Sequence, residues 1–86
     1  MNTRPPVVAG HFYPENPEVL SRDLKKMLHD ALSPSINPKA LIAPHAGYIY
    51  SGPIAATAYN AITTSAKRIT RVVLLGPSHR VAFKGI

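Results

Sequence analysis

Leu20, Leu24, Met27, Leu28 and Ala31 fall at i, i+4, i+7, i+8 and i+11, so they share one face of a helix, while Arg22, Lys25, Lys26 and Asp30 fall on the other. The start signals agree with the stripe. Asn16 is a preferred N-cap, Pro17 suits the first helical position, and Glu18 places a negative charge in the first turn. A helix is expected over residues 16–32, with Met27 filling the core and His29 near solvent at the margin.

Two later runs follow another pattern. Lys39-Ala40-Leu41-Ile42-Ala43 and Arg71-Val72-Val73-Leu74-Leu75 are continuous rather than alternating, as in strands covered on both faces. Pro44 and Gly76-Pro77 stop them, because proline has no N–H for a ladder. Between the runs, Ser51-Gly52 before Pro53 reads as a helix start, and the helix is expected to reach about Thr63. Its stripe of Ile54, Ala55, Ala58, Tyr59 and Ile62 is narrow and suits packing on a sheet. Residues 63–70 read as a polar connection.

Strand, helix and strand in that order make a βαβ unit over residues 39–79, with parallel strands and a right-handed crossover. The expected class is α/β. Residues 1–15 carry too much proline for a helix and read as an extended arm with a turn at Gly10, anchored by Val7, Val8, Phe12 and Tyr13. At 86 residues the chain is at most one domain, and folding at that size buries only about 60% of the unfolded surface.

Composition narrows the setting. Hydrophobic residues make up 45%, so the chain is built to pack, although nine prolines cut it into short elements. It has no cysteine, which removes disulfides and thiolate ligands, and no apolar run nears the roughly 20 residues a bilayer span needs. With no secretory h-region after Arg4, the expected location is the cytoplasm and no membrane partner is expected. The four acids, Glu15, Glu18, Asp23 and Asp30, all precede the first strand, and the net charge is +6. Lys67, Arg68, Arg71, Arg80 and Lys84 lie on different elements without interleaved aromatics, which argues against nucleic acid and for an acidic complement elsewhere.

The candidate chemistry sits just past the two strands. His45 follows the first and His79 the second, and open parallel sheets bind ligands outside the carboxyl ends of their strands. The crossover therefore returns the chain to one edge and brings both imidazoles there. Gly47 would let the backbone turn or approach a ligand, and Tyr48 and Tyr50 add phenols. Two histidines begin a site for iron, copper, zinc or nickel, but a catalytic metal usually takes three protein ligands. From spacing alone, two separate loop histidines capping strand ends are the favoured reading, because a two-ligand pattern without a third is weak. Gly76-Pro77-Ser78-His79-Arg80 also approaches a hydrolase elbow, yet the second glycine and an orienting carboxylate are missing. His11, beside Gly10, reads as a polar loop residue.

Three segments carry a family resemblance: Arg4-Pro5 with Val8-Ala9-Gly10-His11-Phe12-Tyr13-Pro14, the eleven residues Ala43 to Pro53, and Leu75-Gly76-Pro77-Ser78-His79. Together they resemble the start of the Memo family, also called AmmeMemoRadiSam system protein B. The resemblance implies the α/β/α fold of class III extradiol dioxygenases, with this chain as an N-terminal, truncated portion of one such domain. It also implies a metal pocket for iron or copper in which His45 and His79 are two ligands, the third being a cysteine further along the family's chain. Tyr48 and Ser78 are then expected beside the metal as substrate-binding residues, with no catalytic residue assigned. An oxidoreductase of dioxygenase type is the leading expectation. A non-catalytic module holding a peptide or small anion in the same pocket is the alternative. A homo-oligomer, or association with the remainder of such a domain, is expected to complete burial.

Overall fold

The computed structural model describes residues 2–82 and 84. Met1 of the expected arm, and Phe83, Gly85 and Ile86 of the tail after His79, lie outside the described residues.

The first helix, α1, spans Pro17–Asp30. Its start is held as its sequence dictates, since Asn16 Oδ1 accepts from the Glu18 and Val19 N–H groups at 2.8 and 3.1 Å. At the other end Ala31 N–H donates to the Met27 carbonyl at 3.1 Å. Lys26 and Asp30, one turn apart, form an exposed pair at 2.7 Å. Its hydrogen bond, with the charge attraction behind it, lowers the Asp30 carboxyl and raises the Lys26 ammonium from their ordinary pKa values. Leu20, Met27, Leu28 and Ala31 are half-buried along the expected stripe, and Leu24 stands at the edge of exposure.

The second helix, α2, spans Tyr48–Asn60 and so begins five residues before the expected Pro53 start. Pro53 sits inside it. A proline there costs one hydrogen bond to the preceding turn, and the turn forms nonetheless because tertiary contacts fix it. Tyr50 and Ser51 N–H donate to the Gly47 carbonyl at 2.9 and 3.0 Å, while Tyr48 N–H donates across to the Phe12 carbonyl at 2.8 Å. Residues expected to be a polar connection form a 3-10 helix over Thr63–Arg68.

The two helices pack on each other, and small residues make that possible. Gly52 lies so near α1 that a Cβ built on it would be 2.6 Å from Met27 Sδ. The buried positions of α2 are Ser51, Gly52 and Ala56, with Ala61 just beyond its end. The expected stripe is thus displaced: Ile54 and Tyr59 are exposed, and the face that packs is the one carrying Gly52. Asn60 Nδ2 ties the far end by donating to the Leu32 carbonyl at 3.2 Å.

The arm turns at Gly10, whose φ of +83° is the left-handed conformation that glycine adopts freely. Gly10 N–H donates to the Tyr13 carbonyl, and His11 and Phe12 N–H both donate to that of Val8. Val8 and Tyr13 are half-buried anchors, but Val7 and Phe12 are exposed, contrary to expectation. Phe12 holds the arm through its backbone carbonyl instead.

Neither apolar run makes a ladder among the described residues. A strand needs a neighbour about 4.7–4.9 Å away to pair its backbone, and none flanks residues 39–43 or 71–75. Ile42 is 99% exposed and Leu74 85%. The radius of gyration agrees, at 14.4 Å against about 12 Å for a compact chain of this length.

Candidate metal-binding site

The loop that carries His45 is tied down from the helix that follows it. Ser51 is buried, and its hydroxyl donates to the Ala46 carbonyl at 3.0 Å, reaching back past the first turn of α2. The residue next to His45 is therefore fixed to the packed face of the helix. Sequence reasoning gave Ser51 only a capping role; the signal for the other was its place one helical turn after a glycine, where a hydroxyl can reach back to backbone carbonyls. Gly47 has an ordinary φ of −56°, and a Cβ there would meet Phe12 O at a comfortable 3.5 Å. Its expected role in a special turn is not needed.

His79 approaches from the second apolar run. Beside it, Ser78 forms a local turn in which its hydroxyl donates to the Val81 carbonyl and accepts from Val81 N–H. The imidazole rings of His45 and His79 lie with centroids 5.3 Å apart and planes inclined by 39°. Both side chains are on exposed residues. Residues 34 positions apart (79 − 45) have been brought into contact without a paired sheet between them.

The other expected residues divide. Tyr48 is half-buried with its ring 5.7 Å from that of Tyr13, and it lines a groove with the arm, Met27 and Ile49. His11 lines the same groove. His29 is exposed near the end of α1, and Tyr50 is exposed on α2. Ser78 adjoins His79 in sequence, with its hydroxyl engaged by the backbone.

The spacing of the two rings admits a shared ion. A metal–nitrogen bond of about 2.0–2.1 Å plus about 1.2 Å from nitrogen to ring centre allows centroids up to about 6.6 Å apart on one metal. The observed 5.3 Å is inside that limit. Two imidazoles leave coordination positions open, and among the described residues no cluster of three His, Cys, Asp or Glu side chains forms. Nor, among them, is any helix long and apolar enough to cross a membrane.

Comparison with known proteins gives a consistent answer. The model of the family described as Memo-like protein matches residues 4–86. A MEMO1 family protein of Aquifex aeolicus is 44% identical over 79 residues, covering 92% of this chain and 28% of that protein. The protein memo-1 homolog of Caenorhabditis elegans is 44% identical over 84 residues, covering 98% of this chain and 23% of its own. A MEMO1 family protein of Pyrobaculum arsenaticum is 39% identical over 87 residues, with 92% and 31% covered. The chain thus spans about a quarter to a third of the length of the curated relatives it matches. No solved structure matches it.

Proposed function

Since this chain belongs to the Memo family, we propose that His45 and His79 are two ligands of a non-haem iron or copper ion in an oxidoreductase of α/β architecture. The observation that carries this reading is the 5.3 Å approach of the two rings. Each imidazole offers a nitrogen lone pair, and the loop before α2 holds the first of them through Ser51 and Ala46. The metal, when bound, supplies a Lewis acid and a one-electron redox centre. A third donor would have to come from outside the described residues, since His45 and His79 alone make two of the three protein ligands a catalytic metal usually takes.

Tyr48 and Ser78 orient the substrate in this reading. A second reading, a non-catalytic module for a peptide or small anion, draws support from Tyr48, whose ring lies beside Tyr13 in the groove. The expected setting is the cytoplasm.

A chimera in which this chain replaces the matching segment of its Aquifex aeolicus relative tests the ligands. His45→Ala and His79→Ala should each abolish most of the bound iron or copper, while His11→Ala and His29→Ala should leave it in place. Equal metal content in all four variants overturns the assignment. Oxygen uptake with catechol-like compounds, and peroxide formation with a reductant, then separate the two readings. A metal-loaded chimera that shows neither is a binding module.

A further inference from the structure

We infer that Met27 is an oxidation site, where a peroxide converts the thioether to a sulfoxide and thereby loosens the contact between α1 and α2. The chain has no cysteine and two methionines, and Met27 lies inside a helix contact. No thiol within the chain competes for the oxidant.

Access and tightness meet at this residue. Met27 is half-buried, and it lines the groove of about 520 Å³ between the arm and the helices, together with Gly10, Tyr13 and Tyr48. Hydrogen peroxide is little larger than water, which occupies about 30 Å³ in the liquid, so it enters freely. Met27 Sδ also rests against Gly52 so closely that even one added carbon would stand 2.6 Å from it.

The chemistry is a two-electron oxygen transfer. The sulfur lone pair attacks one peroxide oxygen, an S–O bond forms as the O–O bond breaks, and the other oxygen leaves as water after proton transfer. Sulfur is oxidised and peroxide reduced. The product is polar, and no place suits it within the contact. An oxygen added on the Gly52 side forces the helices apart, and one added on the groove side draws the thioether toward water, so the contact that seats α2 on α1 is loosened either way.

That loss reaches the histidine loop by a short route. Gly52 follows Ser51, and Ser51 holds the Ala46 carbonyl beside His45. Oxidation and packing stand without the metal reading, which concerns only what His45 then does.

The test uses the unsubstituted chain and hydrogen peroxide. Peptide mass mapping should find one added oxygen on Met27, and the midpoint of helix melting should fall by about 5 °C or more. Methionine sulfoxide reductase should remove the oxygen and restore the midpoint. Met27→Leu, close to volume-conserving, should melt near the unsubstituted chain and ignore peroxide. If that variant fails to fold, reversal by the reductase still decides the matter. A Met27 sulfoxide with unchanged melting overturns the inference. So does a Met27 that stays reduced at a dose oxidising free N-acetylmethionine in the same tube, or a folded Met27→Leu chain that loses helix equally under peroxide.

Discussion

The Ser51 hydroxyl donates to the carbonyl of Ala46 at 3.0 Å, so the buried face of α2 and the residue beside His45 are joined by one hydrogen bond. The helix thereby positions a histidine that lies outside it.

Ser51→Ala removes that bond and should destabilise the chain by about 0.5–1.5 kcal/mol. Urea unfolding should show a lower midpoint with an unchanged slope. In the chimera the same substitution should weaken metal retention although Ser51 is no ligand. A variant with full stability and full metal content would show that the bond positions nothing.

Gly52→Ala sets two effects against each other. Alanine favours a helix interior over glycine by about 1 kcal/mol, but its Cβ would displace the Met27 sulfur from 2.6 Å. Because a methionine end can swing aside, displacement costs about 1 kcal/mol, the low end for overpacking, and the net change should be near zero. In a Met27→Ala background the obstacle is gone and the alanine should stabilise. A double-mutant cycle by urea unfolding reads the difference, and additive effects would refute close contact between the two residues.

The Lys26–Asp30 pair gives a prediction with a definite sign. Asp30 has its folded pKa lowered, first by the Lys26 hydrogen bond and then by its charge. Its contribution is therefore present above the ordinary aspartate pKa and fades as pH falls through the lowered folded value. The Asp30 carboxyl carbon, followed by NMR, should titrate below the ordinary aspartate range and move back toward it in Lys26→Gln. The same midpoint in both chains would show the pair to be open in solution.

Exposed apolar runs predict association. With Ile42, Val73 and Leu74 at 99%, 85% and 85% exposure, the unpaired backbone around them is open to another strand. Sedimentation of the chain should show self-association, reduced by Val73→Lys. A cooperatively folding monomer would contradict this.

What the sequence made legible was what local signals control. The start of α1 is written in Asn16, Pro17 and Glu18, whose effects act within one turn; His45 and His79 meet, but not through the parallel sheet from which their meeting was expected, since neither run is paired among the described residues. The start of α2 was not legible at Pro53. Its first turn is fixed by Phe12 and by the Ser51 hydroxyl, one distant in sequence and the other readable only once the loop is folded. The buried face of α2 was missed for a related reason, since Gly52 packs by lacking a side chain and no hydrophobic pattern registers that. Strand pairing depends on a neighbour, and a run such as Val72 to Leu75 specifies burial without specifying by what.

The bond from Tyr48 N–H to the Phe12 carbonyl has a further consequence. The leading amides of a helix have no acceptor inside it, so the Tyr48 amide is shielded only while the arm is docked. Its deuterium exchange is therefore a clean clock for release of the arm. The amides of later turns, Ala56 among them, report opening of the helix itself. Where the Tyr48 amide exchanges faster than these, the arm leaves an intact α2; where they exchange together, arm and helix open as one unit.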